Sequence, residues 1–185
     1  GDAAAALDPR NHDVRLADGT RLRYDKVLLC TGASPRLLEL PGANLQGVHY
    51  LRRMEDSEQI KAAFARASRV VIVGAGWIGL ETAAAARAAG LDVTVLENAA
   101  LPLVRVLGSE VAEVFADLHR EHGVDLRCNV EVQSLTGEAG CVTAVRLADG
   151  TVIPTDMVIA GVGITPNVSL ALEAGVQVKD GIVVD

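Results

Sequence analysis

The chain has 185 residues, of which 50% are hydrophobic and only 3% aromatic, so its core must be built mainly from Val, Leu, Ile and Ala. Such a core suits a parallel sheet covered by alanine-rich helices. The formal net charge of −7 argues against nucleic acid or an anionic membrane as a partner, because both bind basic surfaces. No apolar run approaches the roughly 18 residues that a membrane-spanning helix requires.

The cysteines and histidines indicate neither a disulfide scaffold nor a metal site. Cys30, Cys128 and Cys141 form no Cys-x-x-Cys pair, so we expect ordinary strand residues in a reducing cytoplasm. The four histidines share no spacing that would gather metal ligands, and we predict no metal. Residues 1–3 lack the features of a signal peptide and no initiator Met is present; we expect a piece of a longer protein.

The first predicted element is a hairpin whose sequence occurs twice. Val14–Thr20 reads Val-Arg-Leu-Ala-Asp-Gly-Thr and is repeated without change at Val145–Thr151. An Asp-Gly pair between two alternating runs predicts a tight turn, because the turn needs positive φ. Each copy continues into an aspartate, an apolar run that predicts a buried strand, and a glycine-containing turn. We interpret the copies as parts of two related nucleotide-binding units, the first present only as its tail.

Strands and helices alternate between the two copies. A Pro/Gly-rich segment at 34–47 precedes a helix that Asp56 or Ser57 caps and that reaches about Ala67. The further predicted elements are the strand 69–73, the helix 77–89, the strand 92–96, the helix 109–122, the strand 124–127, the meander 130–135, 142–147 and 151–153, and the strand 157–160. This order predicts an α/β fold with a Rossmann-like parallel sheet, helices on both its faces, and an antiparallel β-meander.

The helix predicted at 109–122 has the clearest apolar face. Val111, Val114, Phe115 and Leu118 follow the i, i+3, i+4, i+7 spacing of one helix face. This spacing predicts that these four side chains pack on the core.

A glycine-rich turn, Gly74-Ala75-Gly76-Trp77-Ile78-Gly79, joins the strand 69–73 to the next helix. Gly74 permits a tight turn, Gly76 lets the backbone approach a pyrophosphate, and Gly79 lets the helix pack close to the sheet. Unpaired N–H groups and the positive end of the helix dipole favour phosphate at the helix start. In this strand–turn–helix context the motif predicts a dinucleotide site rather than a turn without a ligand.

An acidic residue ends the strand that follows this helix. Glu97 lies 21 residues after Gly76 (97 − 76), close to the ~20 residues at which a Rossmann acid binds the ribose hydroxyls. Its carboxylate would repel the 2′-phosphate of NADP, so the sequence predicts NAD(H) as the ligand.

Three further residues near the loop each have two interpretations. Glu81 either stabilises the positive end of the helix, in its first turn, or faces the ligand. Trp77, the only tryptophan, is a lid at the rim of the cleft or a packing residue. Arg105 either neutralises a phosphate or is solvated, and solvation is favoured.

These features resemble the flavoprotein reductases that have two dinucleotide-binding domains. The chain is most similar to the FAD-dependent NADH:ferredoxin or rubredoxin reductases of the pyridine nucleotide-disulfide oxidoreductase superfamily, over nearly its whole length. The most selective parts are Thr-Gly-x-x-Pro-Arg at 31–36 and Gly-Val-Gly-x-x-Pro-Asn at 161–167. Residues 50–56, 73–81 and 119–125 also carry the resemblance to this family.

The resemblance implies an order of domains. Residues 1–40 would be the tail of a first FAD-domain segment, and 41–68 a crossing segment with a helix. Residues 69–163 would be an inserted NAD-binding domain, and 164–185 the start of the return to the FAD domain.

The resemblance also implies roles for particular residues. Thr31, Gly32 and Arg36 match positions near FAD. The turn Gly161-Val162-Gly163 matches a crossing that lines the NAD cleft, and Glu81 matches an acid near the nicotinamide.

The activity implied by the resemblance passes hydride from NADH to FAD and single electrons to a ferredoxin-type iron–sulfur protein. No Ser/His/Asp or Cys/His constellation occurs, so the cofactor is expected to carry the chemistry. The sequence contains neither an FAD glycine loop nor a Gly-Asp flavin motif, so this fragment is expected to bind NAD(H), to lose FAD and to be inactive alone. An NADH oxidase, a nitrite-reductase-like flavoprotein and a non-catalytic NAD-binding module stay open, as does a homodimer.

Overall fold

The computed structural model describes residues 1–184 and divides them into two compact units. One unit comprises residues 1–34 with the described part of 164–185, and the other comprises residues 35–163. The strands in chain order are β1 (Ala4–Asp8), β2 (Asp13–Leu16), β3 (Arg21–Arg23), β4 (Ala33–Pro35), β5 (Val48–Tyr50), β6 (Arg69–Val73), β7 (Asp92–Leu96), β8 (Val124–Arg127), β9 (Val132–Glu138), β10 (Cys141–Leu147), β11 (Val152–Pro154), β12 (Met157–Ala160) and β13 (Ile164–Pro166). The helices are α1 (Met54–Phe64), α2 (Trp77–Ala88), α3 (Val104–Glu121) and α4 (Ser169–Glu173). The FAD and NAD roles of these segments stay predictions.

The first unit contains an antiparallel sheet in the order β1-β2-β3 and a ribbon formed by β4 and β13. Helix α4 packs on β1, and its Ala171 is fully buried. Asn167 ties the ribbon together: its side-chain N–H donates to the Thr31 carbonyl at 3.0 Å, and its amide oxygen accepts from the Ser34 hydroxyl at 2.9 Å. The Thr-Gly and Pro-Asn motifs therefore lie side by side.

The repeated hairpin has the same geometry in both copies. Gly19 and Gly150 adopt φ values of +90° and +89°, as an Asp-Gly turn requires. In each turn the aspartate before the glycine accepts the N–H of the threonine after it, at 2.8 Å. This hydrogen bond lowers the pKa of both aspartates. The predicted repeat is thus confirmed at the level of the turn.

The buried strand predicted after the first hairpin is absent. Residues 27–30 have no strand structure, and Leu28 is 84% exposed. The matching run of the second copy is β12, which lies between β5 and β6. An apolar run forms a buried strand only where neighbouring strands accept its hydrogen bonds, and within residues 1–184 no strand pairs with 27–30. The prediction was therefore wrong for the first copy and correct for the second.

A five-stranded parallel sheet forms the centre of the second unit, in the order β5-β12-β6-β7-β8. Its middle strands are apolar on both faces. The side chains of Val70–Val73 are at most 7% exposed and those of Met157–Ala160 at most 4%. The predicted α/β fold with a parallel sheet is confirmed.

The two faces of this sheet are covered differently. Val70 and Ile72 pack with residues of α1, α2 and α3, whereas Val71 and Val73 pack with residues of the meander β9–β11. Helices therefore lie on one face, where the sequence predicted them on both. The physical reason is that the alternating apolar residues of β10, such as Val145, already bury the second face.

Helix α3 buries mainly a different face from the predicted one, and of the four predicted residues only Phe115 packs against the core. Its buried residues are Ala112, Ala116 and His119, whereas Val114 is 65% exposed and Leu118 46%. Alanines let the helix axis approach its neighbours more closely than valine or leucine would, so the face of small residues packs inward. Gly108, with φ +74° and ψ 171°, interrupts the helical conformation near its start.

Within residues 1–184, no helix is both long and apolar enough to cross a bilayer. The same residues contain no cluster of three or more His, Cys, Asp or Glu side chains that could hold a metal ion. All three cysteines are free thiols. Cys141 begins β10, but Cys30 and Cys128 lie outside the strands, so the expectation of three strand cysteines was wrong for these two. Partial burial raises the pKa of Cys128.

Candidate functional site

A cleft of about 420 Å³ lies in the second unit, at the carboxyl ends of β6, β7 and β12. Its lining includes residues 73–77 at the end of β6, residues 96–99 at the end of β7 and residues 161–163 after β12. Open parallel sheets bind their ligands at this edge, outside the carboxyl ends of the strands. The cleft therefore occupies the position in which the sheet places a ligand.

Three glycines pack against one another where the loop leaves the sheet. Gly74 has φ +99°, and a Cβ on it would lie 2.5 Å from the Gly161 carbonyl oxygen. A Cβ on Gly79 would collide with the Gly74 carbonyl oxygen, and one on Gly161 would lie 3.3 Å from the Gly79 nitrogen. Side chains at these positions would separate the backbones, so the glycines let α2 begin close against the ends of β6 and β12.

Gly76 has a different environment from these three glycines. It is the N-cap of α2 in an extended conformation, and a Cβ on it would meet nothing within 4 Å. No side chain of residues 1–184 caps this end of α2, so the first helical N–H groups have no intrahelical or capping partner. An open glycine beside free N–H groups at the positive end of a helix is suited to holding an anion such as a pyrophosphate.

The carboxylate of Glu97 is bonded to the loop itself. One of its oxygens accepts the N–H of Ala75 at 2.7 Å, and the other accepts the N–H of Ala99 at 2.9 Å. The side chain thus ties the end of β7 to the glycine turn and lines the cleft. Each carboxylate oxygen can accept a further hydrogen bond, so a ribose hydroxyl can still bind.

The charged lining of the cleft is small. Among the described residues that line it, only Glu97, Arg105 and Glu131 carry a charge, and none is His, Cys, Ser or Lys. Neither Arg105 nor Glu131 forms an ion pair within residues 1–184. A mostly apolar cleft with a few polar groups can bind and orient a cofactor but brings few groups of its own for catalysis.

Sequence reasoning missed part of this lining. It passed over Glu131 and its neighbours, and it favoured solvation for Arg105, which does line the cleft. Residues 130–132 could have been identified because they closely follow β8, the strand next to β7. Loops at the carboxyl ends of adjacent parallel strands converge on the same site.

Trp77 lines the cleft and is also the first residue of α2. Its ring lies edge-on against Phe115, with centroids 5.7 Å apart and an interplanar angle of 89°. The indole remains 46% exposed. Trp77 therefore packs on α3 and borders the cleft at the same time.

Three predicted site residues of α2 lie outside the cleft lining. Ile78 and Gly79 belong to the first turn of the helix but do not face the cleft, and neither does Glu81. Glu81 is exposed and is the fifth helical residue, so it lies in the second turn rather than the predicted first turn. The interaction of a carboxylate with the helix dipole is strongest within the first turn. The position of Glu81 therefore does not favour the interpretation that it stabilises the positive end of α2.

The predicted residues near FAD are not among the residues that line this cleft. In the first unit, the Thr31 hydroxyl donates to the Asn167 carbonyl at 2.5 Å, and the Gly32 carbonyl accepts the Asn167 N–H at 3.0 Å. In the second unit, the Arg36 N–H donates to the Gly163 carbonyl at 3.0 Å. A role near FAD for Thr31, Gly32 and Arg36 stays a prediction.

Comparison with known proteins gives a consistent result. Residues 1–185 match the family described as pyridine nucleotide-disulphide oxidoreductase. Rhodocoxin reductase of Rhodococcus erythropolis is 44% identical over all of this chain and 43% of its own length. A ferredoxin–NAD(P)(+) reductase of a Sphingomonas species is 40% identical over all of this chain and 45% of its own.

A solved structure agrees with these relatives. The ferredoxin reductase for the CYP199A2 system of Rhodopseudomonas palustris superposes with a TM-score of 0.93 at 39% identity, covering 100% of this chain and 46% of that protein. This chain spans less than half the length of the relatives it matches. The cleft geometry, the family match over every residue and the structural similarity agree, and the chain belongs to the pyridine nucleotide-disulphide oxidoreductase family.

Proposed function

We propose that the cleft binds NAD(H) and that the chain is the NAD(H)-binding part of a flavoprotein reductase. The observation that carries this proposal is the open Gly76 at the uncapped start of α2, with Glu97 at the end of the neighbouring strand. The free N–H groups of α2 would hold the pyrophosphate, and Glu97 would accept the adenosine ribose hydroxyls. The apolar lining would exclude water from the remainder of the dinucleotide.

Members of the family contain FAD and use NAD(P)H. When bound, FAD would accept hydride from the reduced nicotinamide and release electrons singly. The described residues offer no second glycine turn of the kind found at Gly74–Gly79, and the apolar run 27–30 lies outside any sheet. We therefore assign to this chain the binding of NAD(H) and not the retention of FAD.

The electron acceptor that we infer is a ferredoxin-type iron–sulfur protein. The support is that two relatives similar over the whole chain are named rhodocoxin reductase and ferredoxin–NAD(P)(+) reductase. An acceptor screen on the intact flavoprotein tests this inference. Reduction of a ferredoxin is expected, and exclusive reduction of oxygen or nitrite would contradict it.

Calorimetric titration of the chain with NADH tests the binding site. Gly76→Val is expected to abolish binding, because the side chain would fill the space that the pyrophosphate needs. Ala85→Val is the matched control, since it places the same side chain on an exposed position of α2 outside the cleft. Undiminished affinity in Gly76→Val would show that the ligand does not use this helix start.

A further inference from the structure

The adenosine end of the cleft has a second carboxylate in Glu131. The acid at the end of the second Rossmann strand, here Glu97, marks this end. The N–H of Val130 donates to the Glu97 carbonyl at 3.0 Å, so the segment before β9 runs beside the end of β7. Glu131 is the next residue of that segment, and it is exposed and lines the cleft.

The two carboxylates differ in their electrostatic compensation. Each oxygen of Glu97 already accepts a main-chain N–H, from Ala75 and from Ala99, and these dipoles offset part of its charge. Glu131 forms neither an ion pair nor a side-chain hydrogen bond within residues 1–184. Of the two carboxylates at this end of the cleft, Glu131 therefore has the negative charge that neighbouring groups offset less.

Positive charge near this end is limited. Arg105 lines the cleft. The guanidinium of Arg127, at the end of β8, pairs with Asp125 at 2.7 Å and lies outside the lining. The described lining thus presents two carboxylates and one guanidinium to a bound dinucleotide.

We propose that Glu131 is a specificity-determining residue that, together with Glu97, excludes the 2′-phosphate of NADPH. The inference rests on the proposed binding of NAD(H) in this cleft. The 2′-phosphate would add about two negative charges beside the ribose. Glu131 would repel this group through space, whereas Glu97 would both repel it and bind the hydroxyls that NADH presents.

Glu131→Gln tests this role because it removes the charge and keeps the shape. Titrations of the 185-residue chain with NADH and NADPH at low salt give the ratio of the two dissociation constants. Because both dinucleotides are anionic, Glu131→Gln should bind both more tightly. The gain should be larger for NADPH, and we expect the preference for NADH to fall about fivefold. The change is expected to shrink as the salt concentration rises, because added ions screen charges in an open cleft.

Glu138→Gln is the matched control, since Glu138 is an exposed residue of β9 that does not line the cleft. It should leave the preference unchanged. An unchanged preference in Glu131→Gln would overturn the inference, and so would an equal loss of affinity for both dinucleotides. A wild-type chain that binds neither dinucleotide would instead overturn the proposed function, and the inference with it.

Discussion

At the scale of single residues, Glu97 both ties the end of β7 to the glycine turn and lines the cleft. Its carboxylate bonds to the N–H of Ala75 in the glycine turn and to the N–H of Ala99 beyond β7. The sequence placed this acid directly after the strand 92–96, as the structure does, but gave it only the ribose as a partner. Its bonds to the main chain depend on how the turn folds back on β7, which spacing along the chain does not report.

Replacing Glu97 should weaken NADH binding in a graded way. Glu97→Ala removes both acceptor oxygens and is expected to cost about 1–3 kcal/mol of NADH binding. Glu97→Gln keeps one acceptor oxygen and should lose less. Calorimetric titration measures both, and thermal unfolding separates loss of the ligand contact from loosening of the turn. Equal wild-type affinity for NADH and NADPH would contradict the role of this carboxylate.

Asp156 is a second carboxylate that joins segments distant in sequence. It pairs with the Arg69 guanidinium at 2.9 Å and accepts the N–H groups of Ser68 and Arg69, each at 2.9 Å. The Arg69 side chain, followed by these N–H groups, lowers the pKa of Asp156 below its usual 3.8. Asp156 therefore fixes the start of β12 against the start of β6.

This pKa shift predicts a dependence of stability on pH. Because the pKa is lower in the folded state, the stabilisation is present above pH 3.8 and is lost as the pH falls through the folded-state pKa. Asp156→Asn should lower the free energy of unfolding by about 1–2 kcal/mol at neutral pH, a modest value because the pair is partly exposed. In urea titrations the difference between wild type and variant should narrow on acidification. A constant difference from neutral pH down to about pH 3 would refute the linkage.

At the scale of elements, buried strands were the most predictable part of the chain. The bounds of β6, β7, β8 and β12 agree with the predicted strands. For β6 and β12 the reason is that strands covered on both faces are nearly continuous apolar runs. Helix α1 begins at Met54, before the caps predicted at Asp56 or Ser57. Asp56 instead lies in the first turn of the helix, where its carboxylate accepts the N–H of Arg53 at 2.8 Å.

Helix α3 shows where a periodic pattern misleads. The sequence presents two candidate faces, one of large apolar residues and one of alanines, and periodicity favours the larger residues. The structure buries Ala112 and Ala116, because the distance between packed elements and not hydrophobicity alone selects the face. The distance between α3 and the elements it packs against cannot be read from the sequence of the helix.

Opposite substitutions on α3 test this packing. Ala116→Val should lower the free energy of unfolding by about 1–3 kcal/mol, since the residue is fully buried and two added methyl groups overpack the site. Val114→Ala removes the same groups from an exposed position and should change stability by less than about 0.5 kcal/mol. Urea unfolding at equilibrium measures both. The reverse ranking would mean that α3 packs through its valine and leucine face in solution.

At the scale of the whole molecule, the two copies of the repeated sequence form the same turn, but only the second copy forms a strand after it. Both Asp-Gly turns form because a turn depends on residues next to one another. The apolar run after the turn forms a strand only in β12, where β5 and β6 flank it. Local chemistry was therefore predictable in both copies, whereas strand pairing needed partners that the sequence pattern could not identify.

The candidate site was predictable to the same extent. The glycine turn and Glu97 follow one strand–helix–strand pattern, and spacing alone located them. Glu131 and Arg105 reach the cleft from separate loops, and only the folded sheet brings those loops together.

The strand order of the parallel sheet constrains how the chain can fold during synthesis. β12 lies between β5 and β6, and its Ala160 pairs with Val73, a residue made 87 positions earlier (160 − 73). Until that late segment leaves the ribosome, β5 and β6 have no common neighbour and their apolar edges stay uncovered. Closing a loop of this length before the central pairing forms slows folding, and the nascent chain is most exposed to chaperones and misassembly over this interval.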